Sequence, residues 1–400
     1  MARKITPKAV VVFLKLTIFL CFSWPPPKTA SRFQVIRFKT LRFLLCINAV
    51  VLIMPVIYTL YDDYTLYNDY DLATLTKLWC LLGAFVQVPV EVTLFALQYD
   101  RLQDLISEME HCFECAEAHE KDVYQRYVNK CVPFYAASTL SVFFTAVIPL
   151  VIPLITVDQV FPTEARYPFD VEYEPLKTII FVQQFIVAWQ CFSNVCHGSF
   201  IGILIWFTVA RFEILSQQFR AVNGAREIII CIRQHVKLLR YAREVITAIR
   251  SVMLLIIIVC SWVFVASGLT IIGQSTVEDK SRFIILSTAA LLEVYACAWP
   301  ADYLMEASTD VSQAIYDSLW YNQSVTFQRK ICFLLLRSQI PVAISVSAFL
   351  PAISLHYYAS VRSSNSAILP VHRPQNVTTS REQSRTTNSC YNHKVYNKLE

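Results

Sequence analysis

The side chains best suited to chemistry in this chain fall into two groups. The first is the run His111-Cys112-Phe113-Glu114-Cys115-Ala116-Glu117-Ala118-His119, a Cys-x2-Cys pair followed by a histidine, which carries donors of the kind that hold zinc. Cys112, Cys115 and His119 also lie at i, i+3 and i+7, so one face of an acidic amphipathic helix accounts for them without a metal. The helix is the simpler reading, and no metal is expected. The second group is Glu91 and Glu293, two carboxylates inside long apolar runs. Such a carboxylate is costly and persists where it is paired, faces a bundle interior or serves an ion or ligand pathway. At about 1.5 Å per helical residue counted from position 282, Glu293 falls near mid-membrane, and Glu91 lies nearer the opposite boundary. His197 and His356 each read as alone in apolar surroundings. No HExxH, GxGxxG, Walker or Ser/His/Asp pattern occurs, and only six glycines are present. A zinc protease and a nucleotide-dependent enzyme are thereby excluded; no catalytic residue and no cofactor is expected.

The elements that must position these residues are set by composition. Hydrophobic residues make up 55% and charged residues 16%, against about 25% charged in a soluble domain. The mean hydropathy is +0.45. Seven apolar runs reach the roughly 20 residues that a span needs: 43–61, 78–99, 132–157, 178–210, 251–273, 283–301 and 338–361. The fold class expected is all-α, a polytopic membrane protein with seven transmembrane helices over residues 1–370. The stretch 9–22 is shorter and broken by Lys15; an interfacial amphipathic helix, a signal peptide and an eighth span are its three readings. Residues 371–400 are polar, rich in Ser, Thr, Asn and Arg, and read as a disordered tail.

Lys and Arg total 24 in the segments before the first span and between the second and third, fourth and fifth, and sixth and seventh, against five in the three opposite loops. By the positive-inside rule the N-terminus is cytosolic and the C-terminus extracellular, the reverse of a G-protein-coupled receptor. The sequon at Asn376 is then outside and open to glycosylation, whereas Asn322 is inside. Basic residues gathered in loops mark topology and do not form a nucleic-acid-binding face. Most of the 13 cysteines, among them Cys46, Cys131, Cys191, Cys196, Cys260 and Cys297, sit in apolar runs, which argues against a disulfide framework.

Aromatics crowd the outer halves of the second, third and fourth runs: Trp79, Phe85, Phe143, Phe144, Phe181, Phe185 and Trp189. They suit a concave site for a small apolar ligand, while an interfacial belt accounts equally for Trp79 and Phe181. Pro55, Pro89, Pro149, Pro153, Pro341 and Pro351 fall inside spans, and kinked helices border cavities. Gly198-x3-Gly202 permits close helix packing.

The stretch from Leu292-Glu293 through Tyr295-Ala-Cys297-Ala-Trp299-Pro-Ala-Asp302-Tyr303-Leu304, then Glu306-Ala-Ser308, Trp320-Tyr321, Arg337-Ser338-Gln339-Ile-Pro341 and Phe349-Leu-Pro-Ala-Ile-Ser354-Leu355, resembles the signature of insect odorant receptors. Trp24-Pro25-Pro26 and Tyr167-Pro168-Phe169 are similar to that family as well. The resemblance implies an odorant receptor: a ligand-binding subunit that joins an obligate coreceptor in a heterotetrameric odorant-gated cation channel. It places that channel in the plasma membrane of a sensory neuron dendrite, surrounded by membrane lipid. It implies a pocket for a small volatile apolar molecule between the second, third, fourth and sixth spans. The last span would line the pore, with Ile368, Leu369 and Val371 at the gate. The sequence departs from the family there: Ser366-Ala367-Ile368-Leu369-Pro370-Val371 lacks the usual aromatic pair. A gustatory receptor of the same fold would carry a Thr-Tyr-x-x-x-Leu-x-Gln-like ending, and a transporter would carry inverted repeats; neither is found.

Overall fold

The computed structural model describes residues 6–7, 9–12, 15, 30–62, 72–155, 161, 163, 165–171, 173–222, 224–273, 275–346 and 352–368, with backbone only at 72–73, 145–155, 194–195 and 364–368. The described residues contain helices and no strand. In chain order the helices are α1 (Arg32–Asp62), α2 (Leu72–Leu97), α3 (Tyr99–Cys115), α4 (Ala118–Ile155), α5 (Leu176–Ala221), α6 (Ala225–Ile272), α7 (Val277–Asp317), α8 (Val325–Ser338) and α9 (Leu355–Ile368), with a 3-10 turn at Trp320–Asn322.

Among the described residues, α1, α2 from Thr74, α5, α6 and α7 are long and apolar enough to cross a membrane. The third run continues as helix through 155 within α4. The run 338–361 differs from a single span. Helix α8 ends at Ser338, residues 341–346 are non-helical, and helix resumes at Leu355. Pro341 lacks the amide donor a continuing helix would use. Several helices outlast their apolar runs: α5 has 46 residues and α6 has 48. At about 1.5 Å per residue each approaches 70 Å, more than twice a hydrocarbon core of about 30 Å.

Caps explain where chains reverse. Gly224 opens α6, and the amide of Gly273 closes it on the Leu269 carbonyl. The Thr276 hydroxyl accepts from the Asp279 amide at 3.1 Å and donates to the Asp279 carboxylate at 2.7 Å, a capping pair at the start of α7.

Helix α5 is the central post. It packs on α4 and, most extensively, on α7, while α6 packs on α7 and α2. The main core runs from Phe95 and Met109 through Trp206, Phe212 and Met253 to Ile315. A second core of Ala49, Leu52, Val56, Phe85, Val88 and Val187 joins α1, α2 and α5. The outer surface of α1 presents Phe43, Leu44, Met54 and Ile57 to the surroundings, an apolar exterior fit for lipid. Residues 9–12 are helical and seat Val10 and Val11 among Met109, Phe113, Tyr124 and Trp206, with Lys15 ion-paired to Glu110.

The acidic amphipathic stretch is two helices, not one. It breaks at Ala116–Glu117, where the backbone turns extended. Cys112 and Cys115 therefore end α3 while His119 begins α4, and among the described residues no group of His, Cys, Asp and Glu could hold a metal. The described cysteines are all free.

Candidate ligand-binding site

The candidate residues fall in two layers of the bundle. In the outer layer, Phe143 of α4 meets Phe192 of α5 edge-on at 5.6 Å, Phe192 meets Trp189 at 5.6 Å, and Phe143 meets Phe144 at 5.9 Å. These are preferred aromatic separations and angles. Phe192 was not among the sequence candidates; its only signal was the three-residue spacing from Trp189, which places both on one face of a helix. Phe144, beside Phe143, is 59% exposed, and Phe185 is 47% exposed. Trp79 lies apart, edge-on to Trp262 of α6 at 5.9 Å. Phe85 is buried in the second core. Phe181 is half-buried one turn before Phe185.

The described part of the segment before α5 is tied to α1 and α5. Gln184 donates to the Tyr167 hydroxyl at 3.1 Å and accepts from the Thr163 amide at 3.1 Å, and the Arg166 amide donates to Thr59 of α1 at 2.7 Å. Tyr167 packs on Phe161 and Phe169. Nearby, Lys77 of α2 holds Asp279 of α7 at 2.7 Å. Hydrogen bonds from Lys77 and Thr276 keep the Asp279 carboxyl below the usual carboxylate range.

The deeper layer is polar. His197, read from sequence as isolated, is paired: its Nδ1 is 3.0 Å from Glu91 Oε1, with both side chains fully buried. Gln87 donates to the second Glu91 oxygen at 3.3 Å, and Phe95 covers the imidazole at a centroid distance of 4.2 Å. Glu293 sits beside Gly198, with the Cys260 thiol 4.0 Å from its Oε2. Glu293 Oε1 and His197 Nε2 are buried without a hydrogen-bond partner among the described residues. Spans α2, α5 and α7 thus bring three polar groups into the bundle, two of them a direct pair.

Gly202 has a different task from helix-to-helix approach. A Cβ there would collide with the Tyr135 ring. The missing side chain lets Tyr135 of α4 pass α5 and donate its hydroxyl to the Ala296 carbonyl of α7 at 2.7 Å. Below lies an aromatic stack built from the signature stretch. Tyr295 stacks on Trp299 at 5.7 Å, Trp299 meets Trp206 at 4.9 Å, and Lys130 lies 3.6 Å over Tyr303. Tyr358 of α9 touches Tyr295 at 5.3 Å.

A family model described as 7tm Odorant receptor matches residues 71–364. The chain belongs to that family. Odorant receptor 67a of Drosophila melanogaster is 24% identical over 286 residues, 62% of this chain and 68% of the relative. Odorant receptor 10 of Aedes albopictus is 21% identical over 188 residues, 44% and 50% of the two chains. Putative odorant receptor 92a of Drosophila melanogaster is 28% identical over 106 residues, so this chain spans 26% of that relative's length. The fold is that of the insect olfactory receptor OR5 from Machilis hrabei, solved in complex with eugenol. That comparison has a TM-score of 0.74 and 16% identity, and covers 90% of this chain and 97% of the other. The odorant-receptor family is one of multi-pass membrane receptors and not of enzymes, in keeping with the absence of a catalytic motif.

The gating residues inferred from the sequence fall at the edge of what is described. Ile368 is the last residue of α9, and nothing is described of its side chain; Leu369, Val371 and the sequon Asn376 lie outside the described residues.

Proposed function

We propose that this odorant receptor is the ligand-binding subunit of a heterotetrameric odorant-gated cation channel formed with an obligate coreceptor. The observation that carries the reading is the Phe143–Phe192–Trp189 cluster in a chain whose residues 71–364 match the odorant-receptor family. A small volatile apolar molecule seats against Phe143, Phe144, Trp189 and Phe192, with Phe181 and Phe185 at the rim. Its affinity comes from buried area, about 25 cal/mol per Å², and not from charge. The eugenol bound to the related fold supports a ligand of this size and polarity. The excess of Lys and Arg on one side supports a cytosolic N-terminus and an extracellular Asn376. Ile368, Leu369 and Val371 form the apolar constriction of the pore. Binding opens the pore by the difference in odorant affinity between the open and closed states.

The test is whole-cell current from cells expressing this chain with and without an insect odorant coreceptor, across a panel of volatiles. A cation current that needs both chains and only some volatiles is the expected result. Silence from a surface-delivered protein across a broad panel overturns the reading.

A further inference from the structure

On the basic side of the bundle, where α6 leaves the membrane, α6 and α8 and the non-helical segment 341–346 enclose a cavity of about 360 Å³. Its charged lining is Arg243, Arg250 and Arg337, and no acidic residue lines it. Elsewhere on this side arginines find carboxylates: Arg101 meets Glu244 at 2.7 Å, Arg126 meets Glu213 at 2.8 Å, and Arg211 meets Glu108 at 2.8 Å. The three cavity arginines have no carboxylate within ion-pair distance among the described residues. Three like charges around one space repel unless something neutralises them.

The remaining lining says what that something is. Ile246, Pro341 and Val342 give the cavity an apolar wall. Arg250 is the last charged residue before the apolar stretch of α6, so the cavity opens at the membrane boundary. Guanidinium forks bind phosphate oxygens in pairs, and a soluble anion would gain nothing from the apolar wall. We propose that this cavity holds the phosphorylated headgroup of an anionic phospholipid, with its glycerol and upper acyl carbons on Ile246 and Val342. Basic pockets beside membrane helices suit such headgroups. Under the orientation proposed above, the lipid belongs to the cytosolic leaflet. Because the Ile353 amide donates to the Ile344 carbonyl at 3.0 Å, the occupied cavity braces a segment tied to the residues just before α9.

Native mass spectrometry of the purified full-length chain in detergent tests this without reliance on orientation, coreceptor or odorant response. The probes are dioctanoyl phosphatidylinositol bisphosphate, dioctanoyl phosphatidylcholine and soluble inositol trisphosphate. The bisphosphate lipid is expected to remain bound at activation energies that strip phosphatidylcholine. The triple variant R243Q/R250Q/R337Q is expected to lose at least tenfold in lipid occupancy, and R243K/R250K/R337K to stay within about threefold of the native chain. R226Q/R233Q, which removes two charges away from the cavity, should change nothing. Should the triple glutamine variant not fold, R243Q and R337Q singly are each expected to lower occupancy at least threefold. The proposal is overturned by unchanged lipid occupancy in the glutamine variants, or by an equal loss in R226Q/R233Q. Inositol trisphosphate that binds as firmly as the lipid overturns it too, since the site then serves a soluble phosphate.

Discussion

The outer and deeper halves of the bundle are built on opposite terms, and helix α5 passes through both. In its outer part Ile179, Val182 and Phe185 are 59%, 49% and 47% exposed. About five turns further on, Leu204, Ile205 and Val209 are at 0% and Trp206 at 1%. The outer part keeps Trp189 and Phe192 in a half-buried aromatic cluster with Phe143. The deeper part is closely packed, and some of its polar groups meet each other, as in the Glu91–His197 pair and the Tyr135–Ala296 bond, while Glu293 Oε1 and His197 Nε2 stay unpartnered among the described residues. Close-packed interiors transmit displacement instead of absorbing it. Under the function proposed above, recognition belongs to the first region and transmission to the second.

That division predicts a gradient of mutational effects. The largest belongs to His197→Ala, which leaves buried Glu91 with only the Gln87 amide and should cost about 3 kcal/mol. Fluorescence-detected size exclusion should show little monodisperse protein. A normal yield would mean that Glu91 finds another partner and that the deep half is looser than described. Next is Gly202→Ala, which drives a methyl into the Tyr135 ring and should cost about 1–3 kcal/mol by overpacking. Adding Tyr135→Phe should restore little, because the ring carbons collide as well as the hydroxyl.

In the outer half the order of effects reverses. Phe192→Ala and Phe143→Ala should move the odorant EC50 at least tenfold, about 1.4 kcal/mol of binding, while the thermal midpoint shifts by only a degree or two. A large loss of stability with unchanged EC50 would reverse the assignment of the two halves.

The smallest effect at neutral pH concerns His235 of α6, on the basic side. Burial and the nearby Arg337 charge lower its pKa to about 4. Because the folded value lies below the unfolded one, stability is complete above about pH 6.5 and declines as pH falls toward 4. A melting series across that window should slope downward, and His235→Gln should flatten it by a few degrees.

Much of this layout is legible in the chain itself. Apolar runs bounded by charge locate most of the long helices, because hydrocarbon requires every backbone group to be satisfied within the helix. The Tyr295–Trp299–Tyr303 signature marks the stack beneath the site. What escapes is whatever depends on contacts between distant segments. Spacing cannot reveal that His197 meets Glu91, 106 positions earlier. Nor can it reveal that Gly202 exists for a tyrosine on another helix. The break at Ala116–Glu117 escapes because a heptad-like pattern continues across it even though the backbone does not. Phe192 escapes because an aromatic amid aromatics carries no distinguishing signal.

Helices α5 and α6 cross the membrane and continue without interruption to the far side. Mechanically each is a rigid boom about 70 Å long. A tilt of about 1° at the odorant end sweeps the other end by about 1 Å, a step of the size that shifts helices at allosteric interfaces. In α6 that length joins the apolar stretch to the wall it shares with α8 and residues 341–346, so a small tilt at one end becomes a displacement at the other.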